Sequence, residues 1–177
     1  MKKILTAGEL SQVIGDLEKL VDEQREEAKV TSEGLAKMLI VATCDEMTAI
    51  WQYLVARHYI KGNGRLNVID EYDEHLEDEW RHLKDISDRL EQIGGKPVFD
   101  IDEINELAHS WDRVTMSDPR EQLLLLYKAE ENAKSYYRDI IRYAKALGDE
   151  VTVALFHSIL KDETDHSFEL SKILEEM

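Results

Sequence analysis

Two glutamate–histidine pairs, each preceded by a lone glutamate, repeat in the two halves of this 177-residue chain. The repeat comprises Glu46, Glu79 and His82 in the first half and Glu130, Glu163 and His166 in the second. The lone glutamate precedes the pair by 33 residues in both halves (79 − 46 and 163 − 130). In an antiparallel helical hairpin, two residues lie at one height when their midpoint falls in the turn. These midpoints fall in the glycine turn at 62–64 and just before Gly148. The repeat therefore predicts two hairpins that bring four carboxylates and two imidazoles to one level, as in a two-metal site.

Apolar residues recur every three or four positions almost throughout the chain, and only two prolines occur, which indicates an all-α protein. We predict four long helices at residues 32–61, 67–93, 119–147 and 149–175. Asn67, Asp118 and Asp149 are suited to cap the N-termini of the last three. A further amphipathic helix is expected at 7–27. The domain organisation is therefore an N-terminal extension at 1–31 followed by a four-helix bundle at 32–177.

The connections between the long helices differ in length. The first and third are short turns that contain glycine, which favour antiparallel neighbours. The second runs from Gly94 to Asp118, much longer than the roughly 2–8 residues of an ordinary bundle loop. It contains a predicted short helix at 102–111. A crossover of this length can run back along the bundle, which makes the second and third long helices parallel and places Glu79 and Glu130 at the same height.

The six repeated residues stand where the apolar stripes of the helices predict core positions. A buried carboxylate costs several kcal/mol unless a metal or a partner charge compensates. Two divalent cations would neutralise four carboxylates, and the i, i+3 spacing of Glu-x-x-His places both side chains on one helix face. The alternative is a metal-free bundle with solvated Glu and His. A third Glu-x-x-His, Glu106 and His109, has no matching upstream glutamate, and we interpret it as accidental.

Other residues repeat with the pattern. Asp78 and Asp162 precede the paired glutamates and are placed to hold an imidazole N–H. Tyr53 and Tyr137 each follow a lone glutamate by two helical turns. Either tyrosine is suited to bond a ligand carboxylate or donate an electron, although core packing is an alternative role. Cys44 is interpreted as a small core residue.

This layout resembles the ferritin-like superfamily of di-iron carboxylate proteins. The Asp-Glu-x-x-His motif on two helices is similar to that of bacterioferritins, and the short helix in the crossover resembles that of the Dps-type miniferritins. Trp80 stands where bacterioferritins carry a haem-ligating methionine, so no haem is expected. The chain is also expected to lack the fifth helix of 24-subunit ferritins. The single cysteine cannot form the cysteine pair of some Dps-like proteins.

The resemblance implies a ligand set and an activity. Glu79 and Glu163 would bridge two iron ions, Glu46 and His82 would complete one, and Glu130 and His166 the other. Manganese is a possible replacement. We expect a ferroxidase that oxidises Fe(II) with H₂O₂ or O₂, with Tyr53 as a catalytic participant, and that stores iron in a dodecameric homo-oligomeric shell as protection against oxidative stress.

The sequence is also compatible with other functions. A rubrerythrin-like peroxidase or a manganese catalase would use the same ligands without storing iron, and a metal-free helical interaction module belongs to a different class. The net charge of −16 argues against direct nucleic-acid binding, which needs clustered Lys and Arg. No apolar run is long enough to span a membrane. With one cysteine and no signal-peptide pattern, we expect a cytoplasmic protein.

Overall fold

The computed structural model describes residues 30–62, 65–109 and 118–177, together with five isolated positions between 12 and 19. Every regular element in these ranges is an α-helix. The helices are α1 (Ser32–Tyr59), α2 (Arg65–Gln92), α3 (Ile101–Leu107), α4 (Pro119–Leu147) and α5 (Glu150–Glu176). The all-α prediction is confirmed. The predicted helix at 7–27 lies largely outside the described residues.

Capping residues define where most of the long helices begin. The side chain of Thr31 accepts a hydrogen bond from the backbone N–H of Gly34 at 2.9 Å, before α1. Asp118 accepts from the N–H of Glu121 and precedes a proline in the first turn of α4. Gly148 has a φ of 73°, the left-handed conformation that ends a helix, and Asp149 caps α5. Two of the three predicted caps are therefore observed.

Several predicted boundaries differ from the structure. Helix α1 ends at Tyr59 rather than at 61, because Ile60 leaves the helical conformation and buries its side chain, with 2% exposed. Helix α2 begins at Arg65, so residue 67 is not its cap. Helix α3 ends at Leu107, before the predicted limit of 111, and packs Ile104 into the bundle.

The long helices pack as two hairpins, α1 with α2 and α4 with α5. The hairpins pack through α1 against α4 and through α2 against α5, and α3 lies against α1. The four long helices therefore form the predicted four-helix bundle. Across the described residues, no helix combines the length and the apolarity needed to cross a bilayer.

Two apolar clusters fill the bundle interior. One contains Leu39, Ile86, Phe156 and Tyr137, and the other contains Leu123, Leu126, Leu170 and Tyr53. The repeated glutamates and histidines belong to neither cluster. They form a buried polar layer that has Tyr137 on one side and Tyr53 on the other. Each tyrosine hydroxyl donates a hydrogen bond to a carboxylate of the layer.

Candidate metal centre

The structure brings all six residues of the sequence repeat into one buried layer. Each side chain comes from a core position of a long helix, and none is more than 3% exposed. The six residues are Glu46 on α1, Glu79 and His82 on α2, Glu130 on α4, and Glu163 and His166 on α5. Four carboxyl groups and two imidazoles are thus withdrawn from water together, an arrangement that demands compensating charge.

These side chains form two overlapping groups of potential ligands. One contains Glu46, Glu79, His82 and Glu163, and the other contains Glu79, Glu130, Glu163 and His166. Within each group, one ligand atom per residue lies within 4.8 Å of the others. Glu79 and Glu163 belong to both groups. The arrangement therefore matches two neighbouring cations that share two carboxylates.

Both imidazoles direct Nδ1 into the layer. Nδ1 of His82 lies 3.2 Å from a Glu163 oxygen, and Nδ1 of His166 lies 3.4 Å from the other Glu163 oxygen and 3.5 Å from Glu79. Neither Nδ1 has a hydrogen-bond partner among the described residues, nor does either oxygen of Glu163.

The opposite ring nitrogens point to aspartates on the other hairpin. Nε2 of His82 lies 3.5 Å from Asp162, and Nε2 of His166 lies 3.2 Å from Asp78. Arg81 donates to both aspartates, at 2.7 and 2.8 Å. An Nε2–H that donates to an aspartate leaves a lone pair on Nδ1, which faces carboxylates in the layer. Two acceptors would then face each other, and either a proton or a divalent cation between them relieves this conflict.

The two tyrosines likewise contact carboxylates of the opposite hairpin. The Tyr53 hydroxyl on α1 donates to Glu130 on α4, and the Tyr137 hydroxyl on α4 donates to Glu46 on α1. Both tyrosines are 1% exposed. Their contacts hold Glu46 and Glu130, the two carboxylates that the overlapping groups do not share.

The electrostatics of the layer favour protons where no cation is bound. Burial, followed by the charge of Glu79, raises the pKa of Glu46 well above its usual value. Burial and then Glu163 do the same to the pKa of Glu130. Burial alone would lower the pKa of His166, but the adjacent carboxylates of Glu163 and Glu79 raise it to about 12. Cations entering the layer must therefore displace protons.

His75 on α2 also contacts the layer and was not predicted from the sequence. This imidazole is 2% exposed and stacks on the His166 ring, with 4.0 Å between ring centres. Its Nδ1 lies 3.0 Å from the Tyr53 hydroxyl, and its Nε2 lies 3.0 Å from Glu169. Burial, then the neighbouring His166, lowers the pKa of His75 to about 4. The available signal was its position one turn before Glu79 on the same face of α2.

A cavity of about 40 Å³ adjoins the carboxylates between α1 and α4. Its lining includes Glu46, Glu130, Asp45 and His109. The backbone N–H of His109 donates to Asp45 at 2.7 Å, and its ring nitrogen Nδ1 lies 2.7 Å from the same carboxylate. Glu106 is exposed and belongs to neither ligand group. Of the third Glu-x-x-His pair, only His109 therefore makes this contact, which holds the crossover against α1 beside the cavity.

A ferritin-like domain model matches residues 36–177. The chain belongs to the ferritin-like family. It is 28% identical over 154 residues to the DNA protection during starvation protein of Pyrococcus furiosus, covering 84% of this chain and 81% of that protein.

Solved structures give the same result. The bacterioferritin-related protein of Bacteroides fragilis, described as a dodecameric thioferritin, superposes with a TM-score of 0.80 at 28% identity, covering 90% of this chain and 94% of that one. Dps from Staphylococcus aureus superposes with a TM-score of 0.78 at 16% identity, over 82% of this chain and 97% of that one, which shows a shared fold. The predicted superfamily and the likeness to Dps are confirmed.

Proposed function

We propose that the protein is a ferroxidase that binds two Fe(II) ions per chain as substrate and oxidises them with H₂O₂ or O₂. The observation that carries this proposal is the pair of inward Nδ1 atoms among four buried carboxylates, two of which serve both ligand groups. Imidazole and carboxylate together suit iron, and neighbouring metal ions held this way with open positions are suited to redox chemistry.

Each ligand has a role in this proposal. Glu46 and His82 hold one ion, Glu130 and His166 hold the other, and Glu79 and Glu163 are shared. With H₂O₂ as oxidant, each Fe(II) loses one electron, and the peroxide takes up two electrons and two protons to give two waters.

The surrounding residues orient the ligands and admit the oxidant. Tyr53 and Tyr137 keep Glu130 and Glu46 directed at the ions by donating to them. The adjoining cavity of about 40 Å³ has room for a molecule of the size of O₂ or H₂O₂, since one water needs roughly 10–15 Å³.

We further propose that the chain assembles into a homo-oligomeric shell that retains the ferric product. The similarity to a dodecameric thioferritin supports this assembly. Removing Fe(II) and peroxide together prevents hydroxyl radical formation. With a net charge of −16, protection of DNA would come from this chemistry rather than from direct binding to phosphates.

Two measurements test the proposal. Glu79→Ala removes a ligand shared by both ions and should abolish rapid Fe(II) oxidation while leaving the far-ultraviolet circular dichroism of the bundle unchanged. Glu77→Ala, an exposed glutamate on the same helix, is the matched control. Wild-type oxidation rates in the Glu79 variant would refute the assignment.

Size-exclusion chromatography after anaerobic Fe(II) loading and oxidation then measures the mass and the iron content per chain. Many irons per chain in a particle of dodecamer size would support storage. Two irons per chain in a small oligomer would instead favour a di-iron redox enzyme, and iron content at background would reject the iron site.

A further inference from the structure

One arginine joins the two aspartates that face the imidazoles of the metal centre. The Nη2 atom of Arg81 donates to Oδ1 of Asp78 at 2.7 Å and to Oδ2 of Asp162 at 2.8 Å. Asp78 lies on α2 and Asp162 on α5, so this guanidinium links the two hairpins beside the buried layer. The Arg81 side chain is 50% exposed and that of Asp162 is 19% exposed. Arg81 therefore lies at the boundary between solvent and the layer.

Arg81 has no counterpart in the other half of the chain. The halves are offset by 84 residues (130 − 46), and the position that corresponds to Arg81 carries Asp165, which pairs with Lys161 at 2.7 Å. Lys161 also approaches Oδ1 of Asp162, at 3.4 Å, but it is 71% exposed and lies on the same helix as that aspartate. The two aspartates are repeated and the arginine is not, so one guanidinium serves both.

Hydrogen-bond accounting shows what this contact does to His82. Nη2 of a guanidinium carries two N–H groups, and the two aspartates take one each. Nε2 of His82 lies 3.5 Å from that same Nη2 atom and 3.5 Å from Oδ2 of Asp162. Because both hydrogens of Nη2 are engaged, the hydrogen at Nε2 must be the imidazole's own, and it is directed at Asp162. The lone pair of a neutral His82 is then on Nδ1, inside the layer.

The same guanidinium orients His166 through Asp78. Arg81 occupies Oδ1 of this carboxylate, and Nε2 of His166 lies 3.2 Å from Oδ2. The Asp78 side chain is 39% exposed, so water competes for its oxygens. The N–H groups of a guanidinium point in fixed directions, and an aspartate held by them presents its second oxygen to the imidazole in a fixed position.

The positive charge of Arg81 has the opposite effect on metal binding. A cation beside the centre repels incoming ions, so loss of the charge alone would tighten their binding. At a half-exposed position this effect amounts to at most about fivefold in Kd. Loss of a group that orients a histidine ligand weakens metal binding about 10–100-fold. Orientation and charge therefore predict effects of opposite sign, and orientation is the larger.

We propose that Arg81 is a positioning residue that orients both histidine ligands of the centre through Asp78 and Asp162. It keeps Nδ1 of His82 directed into one ligand group and Nδ1 of His166 into the other. This role rests on the proposed function, since it requires that the layer binds metal.

The test uses Co(II) under anaerobic conditions, because Co(II) replaces Fe(II) without being oxidised in the assay. Isothermal titration calorimetry on the full chain gives the Kd and the number of ions. Arg81→Met removes the charge and the N–H donors, and Lys84→Met removes the same charge at an exposed position one turn later on α2. Arg81→Gln repeats the measurement with a polar side chain. Circular dichroism and the Tm in EDTA verify that each variant is folded.

Proton NMR of the Co(II)-loaded protein supplies a second readout. A bound Co(II) ion shifts the protons of its imidazole ligands far outside the ordinary spectrum, and those that vanish in D₂O are the Nε2–H protons. A hydrogen bond to a fixed aspartate slows the exchange of these protons with water. A purely structural role of Arg81 in joining the hairpins would leave this exchange rate unchanged.

The positioning role predicts a Kd at least about 10-fold higher for both ions in Arg81→Met and faster exchange of both Nε2–H protons. The Lys84→Met control should bind Co(II) as tightly as wild type or slightly more tightly. Equal or tighter binding in Arg81→Met, an equal loss in the control, or unchanged exchange would overturn the role of Arg81 and leave the proposed function standing. Absence of Co(II) binding in the wild-type chain would refute the proposed function and this role with it.

Discussion

Shared and unshared ligands of the centre should differ in how much metal-dependent stability they supply. Glu79 belongs to both ligand groups and Glu46 to one. We therefore expect Glu79→Gln to weaken the binding of both ions and Glu46→Gln to weaken the binding of one.

The expected magnitudes follow from binding linkage. At a Co(II) concentration 100 times the Kd, each ion stabilises the fold by about 2.7 kcal/mol, or about 5.4 kcal/mol for two ions. If the loss of a ligand raises the Kd of an ion about 100-fold, that ion contributes only about 0.4 kcal/mol to the stability of the fold. The total then falls to about 3 kcal/mol in the Glu46 variant and to about 1 kcal/mol in the Glu79 variant. For a chain of this length these totals correspond to Tm increases of about 11–22 °C in the parent, about 6–12 °C in the Glu46 variant and about 2–4 °C in the Glu79 variant.

Differential scanning calorimetry measures these increases as the Tm with Co(II) minus the Tm with EDTA, at one protein concentration. Glu77→Gln is the control for charge and should retain the full increase. A Glu79 variant that keeps the parent increase would refute the two-ion arrangement. Equal losses in the Glu46 and Glu79 variants would show that the ligand sharing is wrong.

Two further predictions concern the supports of the site and the fold. Tyr53→Phe removes the buried donor to Glu130 and should weaken Co(II) binding at one ion by about 10–100-fold, measured by calorimetry, with unchanged binding refuting a positioning role. Asp149→Asn keeps a cap on α5 but loses the ion pair with Arg89, at 2.7 Å, and should lower the Tm by about 2–4 °C at neutral pH, for a loss of about 1 kcal/mol. Burial opposes ionisation of Asp149, but Arg89 and Thr152 hold its pKa below the usual value. This stability is present above the ordinary carboxyl pKa and is lost as pH falls through the lowered one. The Tm difference from wild type should therefore close only in strong acid, and a difference that persists there would contradict the ion-pair account.

The repeat of Glu46 and Glu79 with Glu130 and Glu163 was enough to predict the bundle and the single level at which these buried carboxylates meet. A hairpin fixes the relative height of two residues through the position of its turn alone. The helix ends were less predictable. Ile60 buries its side chain by leaving the helix, which depends on packing against neighbouring helices rather than on local propensity.

His75 shows why the rest of the site was not predictable. Its sequence position gives one clue, the shared face with Glu79, but a lone histidine on an apolar stripe is usually a packed core residue. What sets it apart is its contacts with Tyr53 on α1 and Glu169 on α5. These contacts are set by how the two hairpins dock, and the periodicity of one helix does not contain that information.

The contacts that orient the ligands run between the two hairpins, and this constrains the order of folding and metal binding. Glu46, His82, Glu130 and His166 are each oriented by a tyrosine or an aspartate of the opposite hairpin. A single hairpin carries three ligands but none of the groups that orient them. Under the proposed function, metal binding would therefore follow hairpin docking instead of nucleating it, and a chain without metal would remain an assembled bundle with protons in the layer.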